Sequence, residues 1–288
     1  MLTKTNELQA RDANSANELK RLGKEANWLW IDCMEPDDEE LNIVSGLLKE
    51  TEIISAIKKR KIFPHREKVN DCVLLSIPLA LFEDKLEIYP IYVFAKEKFL
   101  MTVRSMHSSE PIDSTLDTFR DCLSKVCQYS NASSFIISRL LHEVSDENLD
   151  AVMSLRANTD KVEEEALDNP GNKKIGERVF VLKRQISELE KILWTQRELM
   201  LSVEEGVVPA IGSTKQDEQA LSHAVNNVSR QLSLLTSNDD ALDSILSLQD
   251  LGMIHRVERI LIYLTLLTLI VSVISILIEI DIIKIISG

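Results

Sequence analysis

Five oxygen-bearing side chains recur on one side of an apolar run late in the chain: Thr265, Thr268, Ser272, Ser275 and Glu279. At 100° per residue they fall within an arc of about 80°. Glu258, one turn before the run, projects onto nearly the same line, while Tyr263, Leu267, Ile270, Ile274 and Leu277 take the opposite face. Thr265, Ser272 and Glu279 also stand seven residues apart, the repeat of helices packed side by side. Serine and threonine in membrane helices often bond back to the preceding turn or join helix pairs, and on spacing alone that reading stays open. Glu279 points further, because an ionisable group near a membrane edge faces water, a partner or an ion. A polar stripe ending in a carboxylate suggests several copies around an aqueous axis that passes cations, since one helix cannot make a pore.

Other chemistries find no support. The four cysteines, Cys33, Cys72, Cys122 and Cys127, include no C-x-x-C pair and are expected as thiols in a reducing compartment. The five histidines form no H-E-x-x-H, and there is no nucleophile elbow, no G-x-x-x-x-G-K and no G-x-G-x-x-G. The chain is therefore not expected to be an enzyme or to carry a resident cofactor. A formal net charge of −13 argues against nucleic acid as a partner, because phosphate neutralisation needs clustered lysine and arginine, and suits a body that attracts cations.

The element that must position the stripe is a helix in a bilayer. Mean hydropathy over the chain is only −0.04, yet Ile260–Ile278 holds no charged side chain over 19 residues. At 1.5 Å per residue that is roughly 28 Å, close to a hydrocarbon core. Arg256 and Arg259 precede the span and Lys284 follows it, which places the body inside and the C-terminus outside. Residues 1–25 are polar and charged, so no secretory signal is read and the body is expected in the cytoplasm.

Upstream, "WLWID", "VNDCVLLSIPLALF", "LEIYPIYVFA" and "KFLMTVRS" read as strands. "EPDDEELNIVSGLLKE" reads as a helix with Pro36 near its first turn. Together they predict a mixed sheet with helices packed on it. Two long helical runs then flank the turn "NPGNKK" at 169–174 and should pair as a hairpin. A third begins near Lys215 and continues into the apolar tail, interrupted only by Gly252, whose cost of about 1 kcal/mol is too small to end a supported helix. The expected fold is α+β: a cytoplasmic α/β domain (1–130), a helical hairpin and stalk helix (131–254), and a transmembrane helix with a short tail (255–288).

Taken in order, these segments resemble the CorA family of divalent-cation transporters. "WLWIDCMEPDDEEL" looks like that family's W-x-D-x-x-x-P-x-x-x-E-L opening, and "KEKFLMTVRSMH" like its N-F-L-I-T-V-R strand. "KVEEEAL…LKRQISELEKILWTQRELM" is similar to its paired acidic helices, and "HRVERILIYLTLLTLI" sits where it has N-x-V-M-K-x-L-T-I-I. The resemblance implies a homopentamer with a cytoplasmic funnel, a stalk helix from each subunit, and a pore lined by the first membrane helix. It implies magnesium as the transported and regulatory ion, with cobalt or nickel as further substrates and zinc in some relatives. It also implies metal sensing by acidic groups between cytoplasmic subunits, for which Glu143, Asp146, Asp239 and Asp240 are the candidates; a charge run is also commonly a solvated face.

The departures are specific. The family closes its pore helix with Y-G-M-N, and the gapless equivalents here are Ile278, Glu279, Ile280 and Asp281. No second span is read before Gly288. Magnesium gives up water reluctantly, so a ring of Glu279 or Asp281 carboxylates is a candidate ion entrance, with Glu279 the metal-facing residue because Asp281 projects about 160° away. These acids could equally mark where the helix leaves the membrane. Two functional expectations follow: a CorA-like transporter or channel subunit, or a non-conducting, single-span anchored regulator or truncated relative.

Overall fold

Strands form where β-branched and aromatic residues run together between charged turns. The computed structural model describes residues 16–26, 28–48, 54, 57, 64–69, 72–96, 99–121, 132–205 and 215–287. Within them β1 (Leu29–Met34), β2 (His65–Val69), β3 (Cys72–Phe82), β4 (Leu86–Lys96) and β5 (Phe99–Arg104) form one sheet in the order β1-β5-β4-β3-β2. β1 runs parallel to β5 and every other pair is antiparallel, the mixed sheet expected from the sequence. β3 is buried without alternation from Cys72 to Ala80, so both of its faces are covered. On one face Leu29, Ile31, Leu74, Phe94, Met101 and Val103 pack with Leu41 and Val44 of α2 (Asp38–Leu48).

The β1–β5 pair is stapled by side chains from the W-x-D and T-V-R motifs. Trp30 Nε1 donates to Thr102 Oγ1 at 3.0 Å, and that hydroxyl donates to Asp32 Oδ1 at 2.6 Å. Arg104 Nε donates to Asp32 Oδ2 at 3.0 Å, while its Nη1 donates to Ser109 Oγ at 2.7 Å, tying the sheet to α3 (Ser109–Asp121). Beside this network burial, aided by the charges of Asp32 and Glu40, pushes the Cys33 thiol up to about 12, so it stays protonated and inert. Cys72 is buried and forms no disulfide among the described residues; Cys122 and Cys127 lie outside them.

Two details sharpen the sequence reading. Pro36 stands two residues before α2, near its first turn as expected. Asp37 is the cap: its Oδ1 accepts from Glu40 N at 2.8 Å and Glu40 Oε2 accepts from Asp37 N at 3.1 Å, a reciprocal box that closes the first turn without the proline. β2, the polar stretch "HREKV", carries no apolar strand signal and is defined by its register against Val69↔Cys72 through His65↔Ser76.

That register stops at Ser76, although β3 continues to Phe82. Pro78 faces Pro90 across β3–β4, and neither has an N–H, so this is a non-hydrogen-bonded pair. Residues in phase with Pro78, including Ala80, therefore aim their backbone groups at the edge that β2 leaves uncovered. The fully buried side chain of Asn148 fills that edge: Oδ1 accepts from Ala80 N at 2.7 Å and Nδ2 donates to Gln196 Oε1 at 3.0 Å. A side-chain amide thus stands in for the missing strand.

The long helices are α4 (Ala132–Asp168), α5 (Lys173–Glu204) and α6 (Lys215–Ser287), preceded in the chain by α1 (Ala16–Glu25). α4 and α5 meet at the expected turn, with Gly171 at φ +85°. The chain divides into two compact units, one of Met1–Arg156 with Gln185–Ser237, the other of Ala157–Arg184 with Asn238–Gly288. In the first unit Trp28 Nε1 donates to Ser133 Oγ at 3.0 Å, and Trp28 packs on Phe119, with ring centroids 5.9 Å apart, anchoring α4 to the sheet domain.

Candidate ion pathway and acidic clusters

α6 stays helical into the apolar run because it holds no proline and only one glycine, Gly252, whose cost of about 1 kcal/mol is too small to end it. It is the one helix among the described residues long and apolar enough to cross a membrane. From Met253 to Ile276 every residue of α6 is exposed within the single chain. So large an apolar surface needs lipid or other copies around it.

On this helix Thr265 Oγ1 donates to Leu261 O at 2.8 Å, Thr268 Oγ1 to Leu264 O at 2.8 Å, and Ser272 Oγ to Thr268 O at 2.9 Å. Each hydroxyl spends its proton on the preceding turn and keeps its lone pairs facing outward. Ser275 is exposed on the same helix. Glu258 Oε2 lies 3.1 Å from His255 Nδ1, so this acid has a partner on its own helix. The backbone is helical through Glu279 and Asp281, but their side chains lie outside the described residues.

Two turns ahead of the run, the 169–172 turn approaches α6. A Cβ built on Gly252 would lie 2.8 Å from Pro170 C and Cβ and 2.9 Å from Gly171 N, so no side chain fits there. Gln249, 6% exposed, accepts from Gly171 N through Oε1 at 2.8 Å. A Cβ on Gly171 would lie 3.6 Å from Arg256 Nη2.

Of the sensing candidates, Asp239 and Asp240 belong to this second unit. Lys183 Nζ sits 2.8 Å from Asp239 Oδ1 and 2.9 Å from Asp243 Oδ1, an ammonium held between two carboxylates. Burial lowers the Lys183 pKa, but the two hydrogen bonds and charges outweigh it and leave it above the ordinary value. Asp240 is exposed. Glu143 and Asp146 belong to the first unit. Glu143 Oε2 accepts from Ser114 Oγ at 2.8 Å, and Arg139 Nη2 lies 2.5 Å from its other oxygen without hydrogen-bond alignment. Asp146 Oδ1 accepts from Asn227 Nδ2 at 2.8 Å. Glu147, next to Asp146, has its pKa raised by burial and then by the charges of Glu110, Asp150, Glu143 and Asp146. No group of three His, Cys, Asp or Glu side chains close enough to hold a metal occurs among the described residues.

Sequence reading missed Lys183, Glu147 and the Gln249–Gly171 contact. Lys183 and Glu147 sit in charge-rich helices with no distinguishing pattern. The signal for the third was present: Gly252, alone in a long helix, marks a close approach rather than a tolerated defect.

A family model for CorA-like Mg2+ transporter proteins matches residues 25–273. The cobalt/magnesium transport protein CorA of Methanocaldococcus jannaschii is 20% identical over 233 residues, covering 78% of this chain and 71% of the relative. The complete structure of the CorA magnesium transporter from the same organism matches with a TM-score of 0.71 at 18% identity, over 85% of this chain and 76% of that one. The cytoplasmic domain of ZntB from Vibrio parahaemolyticus matches with a TM-score of 0.58 at 10% identity, over 81% of this chain and 91% of that one. These two likenesses show the fold.

Proposed function

The chain belongs to the CorA-like Mg2+ transporter family, a family of membrane transporters and not of enzymes, and from that membership we propose that it is a subunit of a homo-oligomeric channel for hydrated divalent cations, magnesium first among them. The conduit is lined by the hydroxyl face of α6. The observation that carries this reading is the family match over residues 25–273; the three hydroxyls bond back to the preceding turn, as serine and threonine in any membrane helix can, and this leaves them as acceptors. A hydrated magnesium ion turns its water oxygens inward and its water protons outward, so its shell asks the wall for acceptors. Thr265, Thr268 and Ser272 offer outward lone pairs because their own protons are bonded to the helix backbone. Copies of α6 around an axis then present rings of acceptors spaced along the span, and the ion passes without losing its shell.

Glu279 takes the entrance role, gathering cations by charge where the family uses an asparagine ring. The homopentamer, a cytoplasmic body with the C-terminal end of α6 outside, and movement down the electrochemical gradient complete the reading. Cobalt and nickel are secondary substrates. Sensing by Asp239 and Asp240 or by Glu143 and Asp146 requires a neighbouring subunit, because within one chain Asp239, Glu143 and Asp146 already have partners. The replacement of Gly-Met-Asn by Glu279, Ile280 and Asp281 favours a second reading, a non-conducting regulatory relative.

Magnesium uptake into liposomes holding the purified chain separates the two. Uptake above empty vesicles, lowered severalfold by Glu279→Ala and by Thr265→Val with Ser272→Ala, is expected. Uptake equal to that of empty vesicles removes the channel and leaves the regulator.

A further inference from the structure

The turn seated at Gly252 carries two lysines, Lys173 and Lys174, to the same level as Arg256, more than eighty residues further along the chain. From Gly252 to Ile260, where the uncharged run begins, is about 12 Å along the helix axis. Four cations, Lys173, Lys174, Arg256 and Arg259, therefore share a layer just ahead of the span. All four are exposed, and the Lys173 side chain is 92% so. The nearest carboxylate to Lys173, on Glu177 of its own helix, is 3.9 Å away, beyond a hydrogen bond. Among the described residues Lys174, Arg256 and Arg259 have no ion-pair partner. The acids at this level are Asp168, next to the turn, Glu177, one turn into α5, Asp250, exposed two residues before Gly252, and Glu258, which faces His255.

In a chain with 46 acids against 33 bases, carboxylates are plentiful, yet these cations are left facing outward. Lys173 and Lys174 also occupy the first turn of α5, where the helix dipole disfavours positive charge. An anionic surface outside the chain offsets both costs. We propose that the 169–174 turn and Arg256–Arg259 form a juxtamembrane contact for anionic phospholipid headgroups of the leaflet that α6 enters. The docking of the turn at Gly252 extends the basic collar of one helix into a broader patch, and it holds the lysines at headgroup depth. The partner is the bilayer itself because the patch is continuous with the span and complementary to it in charge.

This inference rests on the reading that α6 spans a bilayer, and the test separates the two. The full chain in detergent micelles is titrated with fluorescent phosphatidylglycerol and, separately, phosphatidylcholine, alongside incorporation into phosphatidylcholine vesicles. Phosphatidylglycerol is expected to bind more tightly, with about fivefold lost per lysine and roughly 30-fold for Lys173→Gln with Lys174→Gln. Phosphatidylcholine binding should not change, the paired Lys→Arg variant should keep the preference, and 0.5 M salt should erode it. Unchanged phosphatidylglycerol binding in the Gln variant overturns the inference. So does equal competition by inorganic phosphate, which indicates a soluble-anion site, or a change in oligomeric state without lipid dependence, which places the lysines against a second copy. A chain that enters phosphatidylcholine vesicles without any anionic preference defeats this inference alone; one that stays in water defeats the span as well.

Discussion

Replacing Gly252 with alanine sets two opposed terms against each other. Alanine gains about 1 kcal/mol over glycine within a helix. Its methyl group, however, would lie 2.8 Å from Pro170 C and Cβ and 2.9 Å from Gly171 N, and backbone atoms of a tight turn cannot rotate away as a side-chain tip would. Forcing a methylene into a filled contact costs about 1–3 kcal/mol. The turn is held by Gln249 through Gly171 N, and Gly171 at φ +85° has little room to adjust. The net expectation is a loss of about 1 kcal/mol in the seating of the turn, with the helix itself intact. Gly176 supplies the control, because a Cβ there meets nothing within 4 Å and Gly176→Ala should show only the helix gain. Limited trypsin digestion of the full chain in detergent reads the difference, since Lys173 and Lys174 lie beside the turn. Cleavage that follows the open population should rise about fivefold in Gly252→Ala and fall in Gly176→Ala. If Gly252→Ala protects the turn as well as Gly176→Ala does, the notch is not tight and the reasoning from close approach fails.

Asn148→Leu removes the partner of Ala80 N and of Gln196 Oε1 and should lower stability by about 2–5 kcal/mol in thermal or chemical unfolding; a loss under 1 kcal/mol would mean that the sheet edge does not depend on this amide. Glu147, with its folded pKa raised, contributes stability that is present below its unfolded pKa and lost as pH rises through the folded value. Glu147→Gln should therefore raise the melting temperature near pH 7 and lose that advantage toward pH 4, and a melting temperature that falls at pH 7 would contradict the crowding of acids around it. Lys183, also raised, contributes stability fully present below its unfolded pKa and lost as pH climbs through the folded one. Lys183→Met should cost about 0.2–1 kcal/mol at neutral pH and flatten the alkaline decline of the melting curve, and an identical decline in both proteins would remove the Asp239–Lys183–Asp243 bridge as its cause.

Much of the architecture could be read from residues alone because burial leaves a periodic trace. β3, β4 and β5 are apolar at almost every position, the Asn169–Asn172 turn concentrates turn-forming residues, and α6 passes from amphipathic to uniformly apolar without a break. What escaped lacks such a trace. β2 is polar and exists through its partner, the Asp37–Glu40 box is one acid pair in an acid-rich stretch, and Asn148 is one polar residue in a helix full of them. The hydroxyl stripe was visible in the spacing of Thr265, Thr268 and Ser272, but the direction in which each hydroxyl spends its proton required coordinates. The Lys183 bridge depends on the register of α5 against α6, which no single helix encodes.

The parallel pairing of β1 with β5 has a consequence for biosynthesis. Leu29 cannot find its neighbour Phe99 until some seventy further residues have left the ribosome, so the sheet stays incomplete, with one edge bare, for several seconds at about 5–20 residues per second. Once Arg104 has emerged, roughly 150 residues still precede Ile260, which is about 8–30 s of translation, long compared with the millisecond-to-second closure of a small mixed sheet. The five strands can thus pair before the apolar run of α6 exists to address the chain to a bilayer, although the first compact unit closes only with Gln185–Ser237, and whatever delivers the chain there must handle a cargo whose sheet has already formed.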